Sequence, residues 1–236
     1  MATDLAVALL GGRDLAAPLS ERTGLPVAGS SVEDHLDVAH RLGLDGALVV
    51  GVAAVPWPVA PEVHAEGSAS LPAYTGVVSW HALPALHAAL AQAITPGAQA
   101  GAHVLITAPD PGPDTEPEDV VFLREVAEAL ARRIELPSRS IAWRGETRTP
   151  TAVTALTSVV EAHGRTDVVE CPVAPGTGGD PALLATAESL GIRLTTADLG
   201  RATQLDLLTE VVMTVADHEL GDDDPAASGP HGPAAS

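Results

Sequence analysis

At 236 residues, 46% of them hydrophobic and with a mean hydropathy of +0.21, the chain is long enough to bury one large core or two small ones. Its formal charge of −19 comes from 31 acidic against 12 basic residues, all of them Arg and scattered, and it repels phosphate backbones and anionic lipid, so neither nucleic acid nor a membrane surface is an expected partner. Cys171 is the single cysteine, which excludes an intrachain disulfide and a zinc site built on several thiolates. A reducing compartment fits that composition, and no apolar run reaches the length of a signal core or a membrane span; a cytoplasmic protein is expected.

In chain order, the unbroken apolar run over residues 5–10 is followed by Gly11, Gly12, Arg13 and Asp14 and reads as strand, tight turn and a short helix to Arg22. Residues 26–29 predict a brief second strand. Ser31 with Asp34 three positions on reads as the cap of a helix with Val32, Leu36, Ala39 and Leu42 on one face, ended by Gly43. The β-branched run over 47–55 lacks polar alternation, as in a strand covered on both faces. After the irregular segment 56–72, residues 74–80 predict a fourth strand, and Pro84 opens a helix through Leu86 and Leu90 to Ile94. The Pro, Gly and Ala of 95–101 read as a linker.

The second half repeats this order: strand 103–107, a helix with Val120, Leu123, Ala127, Leu130 and Ile134 at spacings of three and four, strand 140–143, helix 151–163, strand 167–171, helix 181–190, strand 192–196 and helix 203–218. Strict alternation of strand and helix predicts parallel sheets. The expectation is an α/β protein of two similar halves, residues 1–97 and 98–220, each a small parallel sheet flanked by helices, with the composition of a disordered tail over 221–236. The string Pro58-Val59-Ala60-Pro61 recurs as Pro172-Val173-Ala174-Pro175 after the equivalent strand, in keeping with an internal duplication.

Parallel sheets bind ligands beyond the carboxyl ends of their strands. Of the loops placed there, 56–72 carries a histidine, His64, with Glu62 and Glu66 beside it, and a His/Glu set both holds divalent metal and takes up protons. The competing reading is a solvated loop histidine between two surface acids. His35 and His40, and His81 and His87, lack the spacing at which two helical imidazoles meet one ion, and they read, like the remaining histidines, as structural or solvated. Gly11-Gly12 has neither the dinucleotide spacing nor a Walker Lys, there is no Gly-x-Ser-x-Gly elbow, and Cys171 reads as core.

Val55-Pro56-Trp57-Pro58-Val59-Ala60-Pro61-Glu62-Val63-His64, a first strand running into Gly-Arg-Asp and the two α/β halves together resemble the class II chelatases, including the sirohydrochlorin ferrochelatases and cobaltochelatases. The resemblance implies insertion of Fe²⁺ or Co²⁺, a substrate rather than a bound cofactor, into sirohydrochlorin, serving sirohaem or cobalamin synthesis, by a monomer or homodimer. It implies His64 and Glu62 as proton acceptors and His64 and Glu66 as metal donors. Gly11, Gly12, Arg13, Arg144 and Arg148 are the expected contacts to a polyanionic tetrapyrrole. The family's His-Gly-Ser-Arg-Asp reads Leu10-Gly11-Gly12-Arg13-Asp14 here, and Leu10 neither binds metal nor accepts a proton. A chelatase-fold protein without catalysis, binding a metal, a tetrapyrrole or a protein partner, is the alternative; a two-lobed binding protein for another small molecule is the third.

Overall fold

The computed structural model describes residues 5–10, 13–28, 46–51, 74–110, 121–164, 166–174 and 179–221. In the first half β1 (Leu5–Leu10), α1 (Arg13–Thr23), β2 (Val27–Ala28), β3 (Gly46–Gly51) and β4 (Tyr74–Ser79) follow in order. A single 3₁₀ turn, Trp80–Ala82, leads into α2 (Pro84–Gln99). The second half runs β5 (His103–Pro109), α3 (Val121–Ala131), β6 (Arg139–Arg144), α4 (Ala152–His163), β7 (Asp167–Pro172), α5 (Pro181–Ser189), β8 (Arg193–Thr196) and α6 (Gly200–Gly221).

Each half forms a four-stranded sheet, ordered β2-β1-β3-β4 and β6-β5-β7-β8, and all pairings are parallel. The same strand order in both halves agrees with a duplicated unit. β1 and β5 are inner strands buried on both faces, which is why their sequences are continuous apolar runs rather than alternating ones. The side chains of β5 divide between two cores: Val104, Ile106 and Ala108 join a large core that also takes in Leu5, Val7 and Leu9 of β1, whereas Leu105 joins Ala142, Leu156, Val168 and Leu183 under α4 and α5.

The helices tie the halves together. α2 packs on β5, β7 and α3, and α6 packs on α1. Arg22 of α1 pairs with Asp206 of α6, and Arg201 Nη2 donates to the Asp14 carbonyl at 2.8 Å. Local signals set the ends of α4 and α5: Thr151 Oγ1 accepts from the Thr154 amide at 3.0 Å, and Asp180 Oδ1 from the Ala182 amide at 2.9 Å.

The expected linker over 95–101 is not one, because α2 continues through Pro96 to Gln99. Its small residues are there for a close approach to β7: a Cβ on Gly97 would stand 2.2 Å from Val169 Cγ2. The Gly97 carbonyl accepts from the Ala102 amide at 3.0 Å and Ala98 is buried, so tertiary packing outweighs the poor helix propensity of Pro and Gly. Gly97→Ala is therefore expected to push α2 off the sheet and to cost about 1–3 kcal/mol, read as a lower denaturant midpoint at unchanged slope. The capped helix read between Ser31 and Gly43, the segment 52–73 and the tail from 222 lie outside the described residues.

Candidate functional site

Leu10 pairs with Gly51 and Gly51 with Ser79, so these three residues form one row across the carboxyl edge of the first sheet. Two inter-strand steps of about 4.8 Å separate Leu10 from Ser79 by about 10 Å. Gly11, Gly12, Glu62, His64 and Glu66 lie outside the described residues, and Arg13 is described only as the residue opening α1.

The corresponding edge of the second sheet is held by side chains. Asp110, just past β5, accepts from the amides of Thr147 at 2.7 Å and Arg148 at 3.1 Å, and from Thr147 Oγ1 at 2.5 Å. This ties the turn after β6 down onto β5, and it is possible because residue 145 is glycine: its φ is +143° and a Cβ would stand 2.4 Å from Asp110 Cβ. The backbone of the expected substrate contact Arg148 is thus fixed at the sheet edge.

Arg144 is committed elsewhere. Its side chain is 9% exposed, with Nε 2.8 Å and Nη2 2.7 Å from Oε1 of the fully buried Glu170. Thr107 Oγ1 donates to the same oxygen at 2.9 Å and Thr196 Oγ1 to Oε2 at 3.1 Å. One residue from each of the four strands of the second sheet meets there, on the face covered by α4 and α5. A buried carboxylate persists only when its oxygens are this fully occupied. To meet a substrate carboxylate, the Arg144 guanidinium must first leave Glu170. Glu170 itself goes unnoticed in a reading of motifs; its one signal is an acid set between Val169 and Cys171, inside the strand that Asp167 opens.

Beside this cluster a cavity of about 400 Å³ opens between the N-termini of α4 and α5, lined by Gly145, Glu146, Thr151 and Asp180 among others. Cys171 is buried, as expected of a core thiol, and burial, reinforced by the Glu170 charge, pushes its pKa up to about 12, so it stays protonated and unreactive. His103 is equally structural: Nδ1 lies 2.7 Å from Ser138 Oγ and Nε2 2.8 Å from Ser140 Oγ.

The two edges meet at the turn that follows β4. Trp80 is fully buried and donates from Nε1 to the Val173 carbonyl, 2.9 Å away, just past β7. The next residue, His81, packs against Phe122 of α3 with ring centroids 4.9 Å apart and planes tilted by 45°, and Phe122 makes an edge contact with Trp143 of β6 at 5.6 Å. Three of the chain's five Phe, Trp and Tyr residues thus lie at this junction, with Phe122 against the imidazole. Among the described residues no group of three or more His, Cys, Asp or Glu is placed to hold a metal ion, and no helix is long and apolar enough to cross a membrane.

No family model matches the chain, and comparison with curated proteins finds no match. Among solved structures, SirB from Bacillus subtilis with Fe³⁺ superposes with a TM-score of 0.57 at 12% identity, covering 92% of this chain and 98% of that one. SirB from Bacillus subtilis subspecies spizizenii, a sirohydrochlorin chelatase in complex with cobalt, gives 0.54 at 16% identity over 92% and 97% of the chains. CbiX, described as the terminal enzyme for biosynthesis of sirohaem in denitrifying bacteria, gives 0.55 at 15% identity over 89% and 98%. The chain thus has the class II chelatase-like fold shared by SirB and CbiX over nearly the whole of their length.

Proposed function

We propose that this protein inserts a divalent metal ion, iron or cobalt, into sirohydrochlorin or a tetrapyrrole like it. The observation that carries the reading is whole-length fold agreement with chelatases solved with Fe³⁺ and with cobalt, together with the His64 motif that the sequence shares with the family. In this reading His64 and Glu66 hold the incoming ion, and His64, helped by Glu62, takes the pyrrole protons as the nitrogens close on the metal. Gly11 and Gly12 admit the macrocycle edge, and Arg13 and Arg148 meet its carboxylates; Arg144 joins them by exchanging Glu170 for substrate. The protein works in the cytoplasm as a monomer or homodimer, with no tightly bound cofactor and without nucleic-acid or membrane partners.

The second reading is a chelatase-fold protein that binds a metal, a tetrapyrrole or a protein without turnover, and one feature favours it: the first strand ends in Leu10, where the family carries a proton-accepting histidine. Incubating the protein with sirohydrochlorin and Fe²⁺ or Co²⁺ while following the absorption spectrum separates the two. Insertion above the spontaneous rate, slowed about 100-fold by His64→Ala, is the expected result. A bound but unmetallated spectrum establishes the second reading, and an unchanged spectrum rejects tetrapyrrole binding altogether.

A further inference from the structure

His81 stands where the two sheets meet, and its surroundings suit only its neutral form. It is 8% exposed, and its Nδ1 is shut off from solvent without a hydrogen-bond partner among the described residues. The ring lies against Phe122, while the turn that carries it is held from below by His87, whose Nε2 is 2.8 Å from the His81 carbonyl, and on the far side by the bond from Trp80 to Val173. An imidazolium in this place has an N–H with no acceptor among the described residues and a charge largely withdrawn from water. The titratable neighbours among the described residues do not reverse that. Burial holds the His81 pKa below its ordinary value; Glu125 of α3 opposes the shift in part and His87 of α2 adds to it.

We propose that the Trp80–Ala82 turn is a proton-operated latch between the two sheets, docked on α3 while His81 is neutral and released when His81 is protonated. The turn follows β4 directly, whereas Phe122, Trp143 and Val173 belong to the other half, so release breaks the contact between the carboxyl edges of the two sheets at this turn while α2 and α6 still join the halves. Once free in water, the ring has an ordinary histidine pKa of about 6.5. The docked ring takes up a proton only at lower pH. The docked form is therefore fully favoured above about pH 6.5, and between that value and the docked pKa each unit of acidification raises the released population about tenfold. Metal insertion into a porphyrin-like ring liberates protons at the carboxyl edges, so the latch would couple proton release to opening, but its existence does not depend on that activity.

The Trp80 indole N–H reports the latch directly because it is bonded across the seam. Its hydrogen exchange in the full chain, assigned by its absence in Trp80→Phe and divided by the intrinsic rate at each pH, should be flat above about pH 6.5 and accelerate about tenfold per unit below it. In His81→Leu, which keeps an apolar side chain in the seat, the profile should be flat throughout. Glu125→Gln leaves the seat itself untouched and removes the charge that helps the docked ring accept a proton, so it should extend the steep range to lower pH. Identical profiles in wild type and His81→Leu overturn the proposal. If His81→Leu does not fold, a His81 ring that titrates at about 6.5 or above with the indole N–H still protected overturns it, and titration below that value with coincident loss of protection supports it.

Discussion

Arg144→Ala is expected to lower the stability of the protein by about 3–5 kcal/mol, because it leaves the Glu170 carboxylate buried with two threonine hydroxyls as its remaining polar support. For a chain of this size that is a fall in Tm of about 6–20 °C. The effect belongs to the uncompensated charge rather than to the pair as such. Replacing both partners by apolar residues of similar volume, Arg144→Met with Glu170→Leu, should therefore restore most of the loss. Thermal unfolding of the two variants side by side checks this; a double variant as unstable as Arg144→Ala alone contradicts it. The same experiment bears on the substrate role proposed for Arg144, since the double variant removes the guanidinium while keeping the fold, and weaker tetrapyrrole binding in it identifies Arg144 as a contact.

Trp80→Ala should be of similar size, about 3–5 kcal/mol, for a different reason. Trp80 is the largest fully buried side chain among the described residues and sits where the two halves join, so truncation leaves a cavity in the shared core and the Val173 carbonyl without its donor. Trp80→Phe fills most of the space and loses the hydrogen bond, and is expected to cost about 1–3 kcal/mol. If the halves were separate folding units, the alanine variant would show two melting transitions. The continuous core running from Leu5 through Trp80 to Val212 predicts a single one, at lower temperature.

Elements that depend on neighbours in the chain were legible before the fold was known. The apolar runs of β1 and β5 and the three-and-four spacing of Leu123, Ala127 and Leu130 are local features, and each lies where the sequence placed it, whereas the caps Thr151 and Asp180 and the left-handed Gly164 after α4, although equally local, became apparent only in the structure. The linker reading of 95–101 failed because Pro and Gly carry a local preference against helix, while the reason for helix there is Val169, some seventy residues away in β7. Arg144 was legible as a cation near a strand end, but not as the partner of Glu170, since the two meet only once β5, β6 and β7 are in register.

His81 shows the same limit at the candidate site. Spacing along the chain rules out a shared ion with His87 and says nothing of Phe122, whose ring reaches it from the other half. Alternation of strand and helix, the twofold repeat and the chelatase resemblance are visible along the chain alone, because periodicity and short motifs are properties of residues a few positions apart. That a carboxylate lies buried among residues of four strands, that α2 and α6 bind the halves to each other, and that an imidazole is packed into the seam between them emerge with the folded chain. Burial and the pairing of charges depend on contacts between distant segments, and these exist only once the chain has closed on itself.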